Sequence, residues 1–484
     1  MILRTVNAAA TTTRAPHEFG TPLAVMLLSV FVGAAIASRP TFAFLPLAAL
    51  VGVLLLVHGP ARLVFVLFGG MLVLQRSGEL DNAKVAFLAG VLVAFVGALL
   101  NVKKLRRTYA YWLARPLFAA SFVLVGLAAV SLAVAYTHGV PQKTWLRDIA
   151  PYLLFAAAPV FAVDAQAAVG PKTLVRLLLA AGGLTTAAFS VQWLQRRGIS
   201  HLPIARLGVA TLFLPAALFA YAMSAALQRG IGRVRWLLLA PLLLAMLLAT
   251  STRSTLALAV APLAIAIGIR RNLTPRMLRL LVATPIAVIL TLALTQGVLV
   301  ATGANQEVLT KRLEIFKSTG DEREDASYDD RMTQAGVAWD TFKANALFGA
   351  GPGVEFEWKP RGLPPSSSSV LDTPASFPAK FGLLGLATAL ILVATYWSFI
   401  RTLARRGEAT VAQLALIGYF AVVAILTLLT NPLEDKGLSF GLILLLALVL
   451  REASQFTTRR QTKFVLRDRH EAHEDGTSHR PVMR

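Results

Sequence analysis

The chain has 484 residues, 56% of them hydrophobic and 15% charged, with a formal net charge of +22 and no cysteine. Soluble domains run at roughly 45–50% apolar and about 25% charged, so one soluble core cannot enclose this much apolar side chain. The missing cysteine excludes disulfides, thiolate metal sites and thiol nucleophiles, and the basic excess lies in short connections between apolar runs, where it orients helices instead of binding nucleic acid.

In chain order, residues 1–20 read as a polar cytoplasmic segment, and the apolar run that follows lacks a small-residue cleavage site, so it is expected to stay as an anchor. Apolar runs able to cross a ~30 Å hydrocarbon layer are predicted at residues 21–38, 40–57, 61–75, 84–101, 116–137, 147–163, 173–194 and 207–227. Further runs fall at 236–250, 254–269, 278–300, 377–399, 411–430 and 438–450. In lipid the backbone must satisfy its own hydrogen bonds, so these are helices. The expected fold is all-α, a polytopic membrane bundle of 12–14 transmembrane helices. Its parts are a first membrane section over 21–300, one large periplasmic loop domain over 301–376, a second membrane section over 377–450, and a cytoplasmic tail over 451–484 without apolar periodicity.

Orientation follows from charge. With the amino terminus inside, Lys103, Lys104, Arg106, Arg107 and Arg115 fall on the cytoplasmic side, with Arg229, Arg233 and Arg235. Arg270, Arg271, Arg276, Arg279, Arg401, Arg405 and Arg406 fall there too, as the positive-inside rule requires. The 301–376 connection carries eight basic and twelve acidic residues and falls outside. A loop of that length is usually functional or disordered. Within it Arg331, Ala335, Trp339 and Phe342 follow helical spacing and predict a helix docked on the bundle through Trp339 and Phe342, with Asp329 or Asp330 as its cap.

Four arginines stand against the charge bias: Arg196, Arg197 and Arg206 in one outer loop, and Arg253 in the short turn "ATSTRST". Anionic headgroups are one explanation for the first two. Arg253 is held at the mouth of the bundle with hydroxyls beside it, Ser251 among them, and its guanidinium wants a phosphate or carboxylate partner. An ion pair with an acid of the long loop is the competing reading. The turn Gly349 to Gly353, with Gly351 and Gly353, either exposes N–H groups to a diphosphate or simply ends a helix.

The "TSTRST" turn, the Arg-led loop helix ending in "ALFGAGPG", the "KFGLLGLA" that opens the next span and the upstream "RLGVATLFLPAALFAY" together resemble the O-antigen ligase and polymerase superfamily, across roughly residues 206–390. The resemblance implies a GT-C-like membrane enzyme that moves a glycan from undecaprenyl diphosphate to an acceptor hydroxyl at the outer face of the cytoplasmic membrane. It implies no metal and no cofactor. The partners would be the undecaprenyl-diphosphate-linked glycan, a lipid-anchored or glycan acceptor such as lipopolysaccharide core, and membrane lipids. By motif position Arg253 and Arg331 would hold the diphosphate on one cavity. Ligases of the family carry a histidine shortly before the "GLLG" glycines, whereas this chain reads "SSSSVLDTPASFPAKFGLLG" and has no histidine between residues 202 and 469. Asp372 is the nearest titratable substitute for a proton acceptor, followed by Glu355 and Glu357. A transporter or lipid flippase, and a non-catalytic scaffold of envelope assembly, are the two competing functions.

Overall fold

The computed structural model describes residues 44–74, 80–196, 212–227, 233–249, 257–258, 260–268, 326–359, 365–404, 410–428, 430–435 and 437–455. The architecture is all-α, with one two-stranded ribbon among the described residues. The helices are α1 (Phe44–Val57), α2 (Gly59–Val73, with a π-helical turn at Phe65–Gly69), α3 (Asn82–Lys104), α4 (Tyr109–Thr137), α5 (Gln142–Ala168) and α6 (Pro171–Arg196). They continue as α7 (Phe213–Leu227), α8 (Arg233–Ala249), α9 (Val260–Gly268), α10 (Ala326–Ala344), α11 (Ser376–Ala404), α12 (Val411–Thr427) and α13 (Gly437–Gln455). Five of these, α3, α4, α5, α11 and α13, are long and apolar enough to cross a membrane.

Burial sorts them. The apolar windows of α5 and α13 are 83% buried, whereas those of α3, α4 and α11 are 33%, 33% and 28% buried. The first two are therefore central struts, and the others turn most of their apolar surface outward, as lipid-facing helices do. Local signals set the ends: Asp81 accepts the Lys84 N–H at 2.8 Å, and Thr410 with Gln413 forms a complete capping box for α12.

The runs at 40–57 and 61–75, expected as two separate spans, behave otherwise. Only His58 separates α1 from α2, and the pair bends by 113°. Pro60 suits the first turn of α2 but ends the α1 hydrogen-bond ladder. The carbonyls orphaned at Leu55 and Leu56 are taken by the Arg62 guanidinium at 3.2 and 2.9 Å, while its other edge grips Asp164 at 2.8 and 2.7 Å. Arg62 and Asp164 are each 2% exposed, and Asn101 adds a third donor to the carboxylate at 2.6 Å. The elbow is thus a buried charge pair filling a helix end. The runs at 21–38 and 278–300 lie outside the described residues.

The loop section is built around a second break. Within α11, Gly382 adopts φ 60° and ψ −156°, a conformation that only glycine takes without strain. The N–H groups of Leu383 and Leu384, freed by the break, donate to the carbonyls of Ala346 and Leu347 at 2.8 and 3.1 Å. In return the carbonyls of Ala379 and Lys380 accept from Ala350 and Gly351 at 2.9 and 3.0 Å. The "ALFGAG" turn and the broken helix therefore complete one another's backbone, and a Cβ at Gly382 would lie 2.5 Å from the Leu347 carbonyl.

Candidate functional site

Arg331 sits in α10, whose packed face is not the expected one. Gln334 and Ala338 are buried, and Ala338 packs with Phe356, Leu371 and Ala379 in a small satellite core. Trp339 is 52% exposed and Phe342 half-buried, so Trp339 does not dock the helix; successive residues lie ~100° apart on a helix, and the contact belongs to its neighbour. The helix also begins five residues before Arg331, at Ala326, so Asp329 and Asp330 fall inside it and do not cap it. Asp330 instead accepts from Trp358 Nε1 at 2.6 Å and from Gln334 Nε2 at 3.0 Å, tying α10 to the ribbon of β1 (Phe356–Trp358) and β2 (Ser366–Ser368).

That scaffold aims Arg331 at the segment leading into α11. Its Nε and Nη2 donate to Asp372 Oδ2 at 3.2 and 2.9 Å, and the Asp372 N–H donates to Gln334 Oε1 at 2.8 Å. The side chains of Arg331 and Asp372 are 34% and 23% exposed. Two residues singled out separately, one as phosphate clamp and one as proton acceptor, are therefore each other's partner. The other carboxylates weighed for that role stand apart: Glu355 accepts from Ser367 Oγ at 3.0 Å, and both Glu355 and Glu357 are exposed.

Eight residues further along α11 lies a cluster that sequence reasoning passed over. Lys380 is fully buried and donates to Glu434 Oε1 at 2.9 Å, with Asp148 Oδ2 3.8 Å away. Asn431 Nδ2 donates to Glu434 Oε1, to Tyr152 Oη and to Ser376 Oγ at 3.1, 3.0 and 3.3 Å. Burial pushes the Glu434 carboxyl above the usual range, against the opposing pull of Lys380. On its far side Asp148 accepts the Gly353 N–H at 3.1 Å and pairs with Arg147 at 2.8 Å, and Arg147 donates in turn to Ser369. The cluster joins α5, α11, the 431–434 segment and the loop section into one unit. Its signal was present in the sequence as a lone lysine at the opening of an apolar span, with Asp148 in "LRDIAPYL" and Glu434 in "NPLEDKG", since ionisable groups beside apolar spans are retained only with partners.

The glycine turn follows the plainer of its two readings. The Gly351 N–H is committed to the Lys380 carbonyl and the Gly353 N–H to the Asp148 carboxylate, so these donors brace the protein and leave no open nest for a diphosphate. Arg196 is the last residue of α6. Arg197, Arg206, Ser251 and Arg253 lie outside the described residues.

Among curated proteins none matches this chain. Residues 237–374, which include α10, the ribbon, Arg331 and Asp372, match the family described as O-Antigen ligase, in line with the resemblance carried by the sequence motifs.

Proposed function

We propose that this protein transfers a glycan from a polyprenyl diphosphate to an acceptor hydroxyl at the outer face of the cytoplasmic membrane. The observation that carries the reading is the Arg331–Asp372 pair: a partly exposed guanidinium whose Nε and Nη2 both meet one carboxylate oxygen, inside the segment that matches the ligase family, held at the end of a membrane-spanning helix. A carboxylate oxygen occupying a guanidinium is chemically close to a phosphate oxygen, and a diphosphate with more charge can displace it. The exchange would do two things at once. Arg331 would move onto the diphosphate, and Asp372 would be released to accept the proton of the attacking hydroxyl.

In the transfer itself the acceptor oxygen bonds to the anomeric carbon, the bond from that carbon to the diphosphate oxygen breaks, and the diphosphate leaves with the electron pair. Negative charge on the leaving group rises through the transition state, so fixed guanidinium groups stabilise that state more than the ground state. Arg253 is the second guanidinium in this reading, contributed by the "TSTRST" turn, with Arg196, Arg197, Arg206 and Ser251 as donors to the glycan or lipid headgroups. No metal or organic cofactor enters the scheme, and the loop section faces the periplasm with both termini cytoplasmic. The test is transfer of a radiolabelled polyprenyl-diphosphate glycan in proteoliposomes. Arg331→Lys keeps charge but loses the fork, and is expected to lower the rate by about 10²–10³; near-normal transfer by a folded Arg331→Lys protein would defeat the proposal.

Transport is the second reading with a specific observation behind it, because broken helices and buried charges occur here and are characteristic of transporters. The same proteoliposomes separate the two. Transport moves the labelled lipid between leaflets and leaves the glycan on its diphosphate; transfer produces free polyprenyl diphosphate.

A further inference from the structure

α10 carries an apolar flank that none of the described residues covers. Met332 and Trp339 are 54% and 52% exposed, and Trp339 and Phe342 stack with ring centroids 5.2 Å apart. Met332, Ala335, Trp339 and Phe342 fall within one stripe at helical spacing, and at its outer border Lys343 pairs at 2.7 Å with Asp340, which lies ~100° round the helix from Trp339. The stripe does not end with the helix. Leu347 and Phe348, 58% and 46% exposed, lie on the turn whose carbonyls are bonded to the broken end of α11.

That position fixes what the flank meets. Leu383, the first residue after the break, is half exposed and stands at the head of an exposed column on α11, Leu383, Leu386, Leu390, Val393 and Trp397. Their spacing keeps them on one face of a helix long and apolar enough to span the bilayer. The Leu383 N–H donates to Ala346 and the Leu384 N–H to Leu347, so the loop patch and the lipid-facing column form one continuous apolar surface. Where a spanning column ends, the bilayer has its headgroup boundary, and tryptophan and phenylalanine with flanking charges are the residues that settle there.

We infer that α10 is an interfacial helix, with Met332, Trp339, Leu347 and Phe348 seated in the acyl–headgroup boundary of the leaflet on the loop side. This inference stands apart from the proposed reaction, since it concerns what the loop section rests on and not what it transforms. Because the chain has no cysteine, single cysteines at Trp339, Leu347, Asp340 and Leu390 can carry a nitroxide in nanodiscs of phosphatidylethanolamine and phosphatidylglycerol. Collisions with oxygen, which concentrates in lipid, are compared with those of a water-soluble nickel chelate. The expected result is an oxygen-to-nickel ratio several-fold higher at 339 and 347 than at 340, approaching that of the lipid-facing 390 position. Ratios at 339 and 347 equal to that at 340 would overturn the inference by placing the flank in water. Protection of both positions from both reagents would overturn it equally, by showing that another protein segment lies there.

Discussion

Lys380→Met isolates what the buried cluster contributes. The substitution keeps an unbranched apolar stem but removes the cation that lies 2.9 Å from Glu434 and 3.8 Å from Asp148. Asp148 retains Arg147, whereas Glu434 is left with Asn431, Ser376 and Tyr152 as neutral partners. Breaking one side of a buried ion pair costs about 3–5 kcal/mol, while replacing both members with well-packed neutral groups is often nearly neutral. Lys380→Met should therefore lose about that much unfolding free energy, and Lys380→Met with Glu434→Gln should recover a large part of it. The assay is denaturant unfolding of the purified protein in mixed micelles, followed by intrinsic fluorescence, for both singles, the double and the parent. Strict additivity would refute the reasoning, since it would mean that Lys380 and Glu434 do not sense one another. The pH dependence has a definite sign. The folded Glu434 carboxyl binds its proton more tightly than in the unfolded chain, so this group favours the folded state most at low pH, and that contribution declines as pH rises above the ordinary carboxyl value toward the raised one. Glu434→Gln removes that slope.

Further outcomes follow from other contacts. Gly382→Ala forces an alanine into an extended, positive-φ conformation that essentially only glycine adopts, costing roughly 1–3 kcal/mol, and sets a methyl against the Leu347 carbonyl, so it should release the loop section to limited proteolysis while the spans stay resistant. Arg62→Met leaves Asp164 buried without its cation and should destabilise by about 3–5 kcal/mol, with partial recovery when Asp164→Asn is added; thermal unfolding of the set decides it. Single cysteines at Ser327 and Ala404 should react unequally with an impermeant maleimide on spheroplasts, Ser327 strongly and Ala404 weakly, and equal labelling would defeat the proposed orientation. Asp372→Asn should lower transfer less than Arg331→Lys if releasing the arginine is part of the step, because the neutral amide frees the fork as it removes the proton acceptor.

The membrane bundle, the helix in the long loop and the glycine turn after it were legible because each rests on local chemistry: apolar run length, 3.6-residue spacing, and glycine after a helix. What stayed hidden depends on contacts distant in sequence. Nothing local to "FGLLGLA" says that Gly382 breaks its helix, since the freed groups are satisfied by residues 346–351, and without those partners a continuous helix would be the better structure. Helical spacing points to Trp339 and Phe342 as the docking pair, yet Trp339 faces out, and the small Ala338 beside it lets α10 approach the satellite core closely. Lys380 carries no local mark of which groups it meets, because its partners Asp148 and Glu434 come from two other elements far away in sequence.

The two breaks also bear on the choice between an enzyme and a transporter. Both are anchored on α5, the elbow of α1 and α2 through Asp164 and the cluster at α11 through Asp148. These carboxylates lie sixteen residues apart on one helix, about 24 Å at ~1.5 Å per residue, which is close to the ~30 Å thickness of the hydrocarbon layer. The buried charges therefore sit near opposite faces of the membrane and not together at its midplane, where transporters of the broken-helix type gather their substrate site. Only the Asp148 end is joined to the loop section, through Gly353 and through Arg147 and Ser369. Charge, helix break and the partly exposed Arg331 converge on a single face. That is where a lipid carrying its diphosphate at headgroup depth would be met, with its chain left in the bilayer.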